Sequence, residues 1–223
     1  MIARRSVLVA LPALVLWPRA AAAEPSAQER KLANRLELWS NYARRTDNLM
    51  ARMSTKRETS LLEEPLLSTG TLVFRAPDLL VLREDGRQGA TTLIDGTAIR
   101  IFLNGVGRKD PAAIDADRRP PARWLALHLV RLFAPGDGTE LLQDTRPHVP
   151  KGRGYRLELL PPRGSATRRK IRSLTVTLDP VAGSVTQLSI AEAQGDRLTI
   201  ALSDHRQNLP PEDIASFLEQ LDG

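Results

Sequence analysis

The sequence predicts an α+β fold dominated by antiparallel sheet. Three observations lead there. Apolar and polar residues alternate at a period of two through much of residues 49–103 and again through 155–202. The breaks within the first run, at Pro77-Asp78, Asp85-Gly86 and Asp95-Gly96, are tight turns, far shorter than a parallel crossover needs. Helical spacing is confined to short segments, at 28–42, 121–133 and 212–221.

In chain order, residues 28–42 set Leu32, Leu36, Trp39 and Ala43 along one face, opposite Arg30, Glu37 and Asn41, which predicts an amphipathic helix. From Leu49 the period changes to two, with Leu49, Ala51 and Met53 on one side and Met50, Arg52 and Ser54 on the other, predicting a half-buried strand that runs to Thr59. The segment LLEEPLLS, with Pro65 unable to donate to a ladder, reads as a turn. Strands follow at Thr71–Arg75, Leu79–Arg83, Ala90–Ile94 and Ala98–Leu103, forming a first meander.

Residues 104–120, with Gly105, Gly107, Pro111 and Pro120, read as a long loop. In PARWLALHLVRLF, proline occupies the first turn of a helix whose apolar residues, from Trp124 to Phe133, spread around almost the whole circumference. Such a helix must be covered on more than one side, either as core or as a lid over an apolar ligand. Gly136 and Gly138 suit a stop or a hinge. A second meander is predicted from Tyr155–Leu160, Ile171–Leu178, Val185–Ala191 and Leu198–Leu202. A last helix carries Ile214, Phe217, Leu218 and Leu221 at i, i+3, i+4 and i+7, with Glu212 and Asp213 in its first turn.

The chain has 223 residues, 42% of them hydrophobic and 26% charged, enough for one sizeable core. Its start places Arg4 and Arg5 before the apolar run Val7–Trp17 and the small residues Ala21, Ala22 and Ala23. That is the pattern of a cleaved secretory leader over residues 1–23, through the general or the twin-arginine exporter. The apolar run is shorter than the roughly 20 residues a bilayer requires, which argues against an anchor. The formal charge of +6 falls to +3 once Arg4, Arg5 and Arg19 leave with the leader. With no cysteine, the chain has no disulfide, thiolate metal site or cysteine nucleophile, and an exported protein of this kind fits a bacterial periplasm.

Residues for chemistry are sparse. His128, His148 and His205 lie far apart without metal-binding spacing, and no nucleophile elbow, phosphate-binding loop or dinucleotide fingerprint occurs. His128 sits within the apolar helix and reads as a satisfied core histidine. The acid pairs Glu63-Glu64, Asp115 with Asp117, and Glu212-Asp213 fall in turns or helix starts. The basic run Arg163, Arg168, Arg169, Lys170 and Arg172 contains no aromatic residue, which weakens a nucleic-acid reading in favour of a solvated hairpin tip or a contact with anionic headgroups or an acidic partner. A non-enzymatic protein without cofactor or metal is expected.

One resemblance is carried by short motifs: Gly70, Leu72, Pro77, Asp78 and Leu79, then Asp95-Gly96 leading into AIRIFLN, and later LTVTLDPVAGSVTQLSI ahead of a strand ending in LSDHRQN. In these, over about residues 30 to 208, the chain resembles the LolA-like periplasmic carriers of outer-membrane lipoproteins. The resemblance implies an incomplete curved antiparallel β-barrel whose concave side is covered by lid helices, with acyl chains held between sheet and lid. It further implies a cavity and lid formed by Leu49, Met53, Leu72, Phe74, Leu80, Leu82, Ile101, Leu103, Trp124, Leu125, Leu129 and Phe133. Leu80 and Leu82 fall where the family places large aromatics, so the cavity is expected to differ in shape. Arginine commonly precedes the turn proline in such carriers and latches the lid. Here Ala76 holds that place, and Arg75, the polar latch candidate, is expected to point to the opposite face.

The implied partners are the acyl chains of a lipoprotein or lipid, an inner-membrane exporter as donor and an outer-membrane acceptor, with transient membrane-surface contact and a monomeric carrier. The alternative on the same scaffold is a protein-binding sensor or assembly factor of the envelope with a filled interior and no lipid cargo.

Overall fold

The computed structural model describes residues 24–96, 98–104, 112–114, 118–152 and 154–222. The expected leader, Gly105, Gly107, Pro111, and the pair Asp115 and Asp117 lie outside these residues.

Helix α1 (Ala27–Ala43) starts at Ser26, whose hydroxyl accepts the Glu29 N–H at 3.2 Å while the Glu29 carboxylate accepts the Ser26 N–H at 2.6 Å. This reciprocal cap satisfies two donors that helix geometry leaves unpaired. Strands β1 (Asn48–Glu58), β2 (Leu66–Arg75), β3 (Leu79–Glu84), β4 (Ala90–Asp95) and β5 (Ala98–Leu103) follow, each antiparallel to the next, and β6 (Ala112–Ile114) adds to β5. Helix α2 (Pro120–Arg131) precedes β7 (Arg146–His148), β8 (Tyr155–Leu160), β9 (Ile171–Leu178), β10 (Val185–Glu192), β11 (Arg197–Gln207) and helix α3 (Pro211–Asp222).

The two meanders form one sheet, in the order β6-β5-β4-β3-β2-β1-β11-β10-β9-β8-β7. The join is a long antiparallel pairing of β1 with β11, from Leu49 opposite Gln207 to Glu58 opposite Arg197. The fold class is therefore the expected one, an open antiparallel sheet with three helices.

Several boundaries differ from expectation. Leu66, Leu67 and Ser68 belong to β2 rather than to a turn, because they continue the hairpin against Arg57, Lys56 and Thr55. β11 runs on past Leu202 to Gln207 through a polar sequence, since β1 pairs with Ser203 and, beyond a register shift, with Arg206 and Gln207. β6 and β7 are three-residue edge strands without a legible alternating pattern, and Pro147 in β7 is tolerated at such an edge.

Register explains the two faces. Leu49, Phe74, Leu80, Ile94 and Ile99 are consecutive cross-strand partners from β1 to β5, and all are buried on the face that carries α1 and α2. The other half of the sheet continues this inner face with the row Ile200, Leu188, Val176 and Leu157. One residue along, Met50, Val73, Val81 and Leu93 form a row on the outer face, where α3 covers them with Ile214, Phe217 and Leu218. The terminal helix thus docks on the side of the sheet opposite α1 and α2.

Candidate functional site

Helix α2 has proline in its first turn and no side-chain cap at Arg119, so packing rather than capping holds it in place. It buries Trp124, Ala126, His128, Leu129 and Val130, and Leu132 and Phe133 continue the buried surface beyond its end. Phe133 reaches the sheet, its ring centroid 6.2 Å from that of Phe74 in a tilted pair.

The polar groups of α2 are directed elsewhere. Trp124 Nε1 donates to the Asp144 carbonyl at 2.9 Å, and Arg131 Nη2 donates to Gln143 Oε1 at 3.0 Å. The His128 ring lies between two carbonyls, with Nδ1 2.7 Å from that of Trp124 and Nε2 3.1 Å from that of Gln143. Burial holds the His128 pKa below the ordinary histidine value, assisted by the Arg131 charge and opposed by the two carbonyls and Asp144. These bonds make α2 and the 143–144 segment one piece.

That piece is fastened to α1. Trp39 Nε1 donates to the Leu132 carbonyl at 2.9 Å, and the Ser40 hydroxyl donates to the Gly136 carbonyl at 2.8 Å. Gly138, at φ +95°, lies so close under Leu36 that a Cβ there would be 3.2 Å from Leu36 Cδ2. At its other end α1 is tied to the sheet side, through Gln28 Nε2 to the Val149 carbonyl at 3.0 Å and Arg35 Nε to the Arg156 carbonyl at 3.0 Å.

The residues expected to line a cavity converge on this inner face. Leu49, Met53, Leu72, Phe74, Leu80, Trp124, Leu129 and Phe133 are buried in one cluster, and Leu82, Ile101 and Leu125 pack half-buried against it. Leu103 is 59% exposed, at the end of β5. Arg75 is exposed and shares the outer face of β2 with Val73, away from α2. His128 is the buried core histidine that the sequence implies. In the basic run, Arg163, Arg169, Lys170 and Arg172 are exposed and Arg168 donates to the Arg172 carbonyl.

Other features were not legible in the sequence. Gly70 is buried on the inner face, where a Cβ would meet the Arg83 carbonyl oxygen and lie 2.7 Å from Met53 Cε. Glu84, at the end of that face, accepts the Ser68 hydroxyl at 2.8 Å and the Ala90 N–H at 3.2 Å. Two clefts open beside the helices. One, of about 330 Å³, lies where Trp39 and Arg44 face Arg131, Asp137 and Leu141. The other, of about 530 Å³, lies between the first half of α1 and the β7–β8 connection. Among the described residues no group of three His, Asp or Glu side chains is placed to hold a metal ion, and no helix is long and apolar enough to cross a membrane.

No family model and no curated protein matches the sequence. Among solved structures, the chain is similar to a LolA superfamily protein from Nitrosomonas europaea at 12% identity, over 85% of this chain and 97% of that one, with a TM-score of 0.43. It is similar to a DUF1329 family protein from Desulfovibrio piger at 11% identity, over 82% and 95% of the two chains, with a TM-score of 0.45. The lipoprotein LppX of Mycobacterium tuberculosis is 12% identical over 82% and 98%, with a TM-score of 0.41. Likeness at that level says nothing of ligand or partner. The chain itself folds as an open antiparallel sheet roofed on its inner face by α1 and α2.

Proposed function

We propose that this protein is a periplasmic carrier that shields the acyl chains of a lipoprotein or lipid between its sheet and the α1–α2 cover, on their way toward the outer membrane. The observation that carries the reading is a run of inner-face apolar residues, broken only by Thr92, that leads from solvent toward the core. It runs from exposed Leu103 through half-buried Ile101 and Leu82 to fully buried Leu80 and Phe74. Leu82 and Ile101 both pair with Thr92, so they lie in one row on the inner face. Each methylene of an acyl chain buried along that path is worth about 0.8 kcal/mol, so affinity is easily obtained and release is the harder step. A cover whose polar bonds are largely its own answers that difficulty, because it separates from the sheet mainly at apolar contacts.

In this reading, residues 1–23 are the cleaved leader and 24–223 one domain. The carrier works as a monomer between an inner-membrane exporter and an outer-membrane acceptor, touching membranes transiently and performing no covalent chemistry. The test is binding of a fluorescent fatty acyl probe to the mature chain and to a Leu82→Glu variant. The charge in the apolar path is expected to weaken binding at least tenfold; unchanged binding, with no lipid extractable from the purified protein, defeats the proposal.

One observation favours a second reading, a protein-binding sensor or assembly factor of the envelope. Trp124 and Phe133 lie in a continuous buried cluster with Phe74 and Leu80, as a filled interior requires. Native mass spectrometry of protein isolated from its own envelope separates the two readings, since a carrier retains an added lipid mass and a sensor retains a protein.

A further inference from the structure

We infer that the cleft between α1 and the β7–β8 connection is an oxyanion site, taking the phosphate group of an amphiphile whose acyl chains enter the inner face. The inference rests on the carrier reading for the acyl chains but not for the anion.

The cleft is lined on one side by Arg30, Lys31 and Arg35 of α1 and on the other by Gly152, Gly154 and Tyr155. Among the described residues three cations and no carboxylate line it, although the chain as a whole carries 26 acids against 32 lysines and arginines. Glu29, the acid next to Arg30, is turned into the N-terminal cap of α1, where it accepts the Ser26 N–H. Among the described residues none of these cations has an ion-pair partner.

Arg35 is fixed in place. Its Nε donates to the Arg156 carbonyl at 3.0 Å, and its guanidinium carbon lies 5.3 Å from the centre of the Tyr155 ring. Beside the cleft, Arg156 Nη2 donates to the Lys151 carbonyl at 3.0 Å, while its buried Nε has no hydrogen-bond partner among the described residues. Gly152, at φ +113°, lets that side chain approach, since a Cβ would be 2.9 Å from Arg156 Nη2. Guanidinium groups that are held rather than free suit the several oxygens of a phosphate.

The cleft also adjoins the inner-face cluster, on the β8 side of the sheet. Tyr155 packs against the inner-face cluster, as do Leu32 and Leu36 on the same helix as the cations. A headgroup seated here therefore has its tails directed along α1 toward the buried rows.

The test is calorimetric titration of the chain from Glu24 onward, at low salt, with dihexanoyl phosphatidic acid, dihexanoyl glycerol and inorganic phosphate. The phosphate-bearing lipid is expected to bind about tenfold more tightly than the neutral one, the gain of a charge-assisted hydrogen bond or two. A double Arg30→Gln, Lys31→Gln variant, changed at two exposed positions that leave the fold intact, is expected to reduce that preference to less than about twofold while retaining affinity for the neutral lipid. No preference in the original protein, or the same preference in the variant, overturns the inference. Inorganic phosphate that binds as tightly as the lipid, with loss in the variant, upholds the anion site and assigns it to a free phosphate. If neither lipid binds, the carrier reading fails by itself, and the phosphate titration still decides the site: binding lost in the variant upholds it, and no binding overturns it.

Discussion

The two faces of the sheet are built from alternate residues of the same strands, yet they are covered in opposite ways. On the outer face, α3 covers the middle of one row: Val73 and Val81 are fully buried and Met50 and Leu93 only partly. The helix is amphipathic, with Glu212 and Asp213 favouring its N-terminal dipole, and Phe217 stacks near the Arg83 guanidinium at 5.9 Å. On the inner face, the whole row from Leu49 to Ile99 is buried, and the helix above it is apolar around most of its circumference. The outer helix is a clasp on a small patch. The inner cover is a larger piece, bonded to itself and resting on a continuous apolar surface.

Truncations of adjacent buried residues on the two faces are therefore expected to have unequal consequences. Phe74→Ala removes the ring beneath Phe133 and is expected to cost about 3–5 kcal/mol in denaturant unfolding. Its neighbour Val73→Ala, on the outer face, is expected to cost about 2 kcal/mol. Equal losses break the comparison.

Ile214→Ala sharpens it from the other side. Loss of this buried contact of α3 is expected to cost about 2 kcal/mol of stability and to leave acyl-probe affinity unchanged, because the outer face takes no part in binding. Trp39→Phe removes the N–H that reaches the Leu132 carbonyl and leaves that acceptor unpaired, at about 1–2 kcal/mol. Because that bond lies within the cover, which leaves the sheet as one piece, acyl-probe affinity is expected to stay unchanged as stability falls. A loss of probe affinity in Trp39→Phe that matches its loss of stability refutes a cover that opens as one piece.

The smallest effect concerns pH. Because burial keeps the His128 pKa below its ordinary value, the native ring is neutral while the unfolded ring takes a proton near pH 6.5. The neutral ring's contribution is complete above that pH, is lost as pH falls toward the folded pKa, and levels off once both states are protonated. Thermal midpoints measured from pH 7.5 to 5 are expected to decline, and less steeply in His128→Gln. An identical decline in the variant assigns it to other groups.

Alternation made most of the inner face readable in advance. Leu49, Met53, Phe74 and Leu80 lie where a period of two places them, and Trp124 and Phe133 where an over-apolar helix requires cover. What was not readable depends on pairings between distant residues. The extension of β11 to Gln207 is set by β1, some 150 residues earlier, and not by any pattern of its own. Gly70 is explained only once Met53 and the Arg83 carbonyl converge on it. The basic cleft escaped notice because Arg30 and Lys31 look like an ordinary solvated helix face until Tyr155, from β8, is brought against Arg35. Leu66 and Leu67 read as turn because Pro65 marks the break and the hairpin register that extends past it has no local signature.

Tryptophan emission tests the central claim most directly. Of the chain's three tryptophans, Trp17 lies in the expected leader, and the other two, Trp39 and Trp124, are buried between the cover and the sheet. Titrating the chain from Glu24 onward with a dibrominated stearate should quench this emission, because bromine quenches only on close contact, while unbrominated stearate of the same length should not. Acyl chains that enter beneath α1 and α2 require that difference. Binding of both fatty acids with identical emission would place the acyl chain elsewhere and contradict the account.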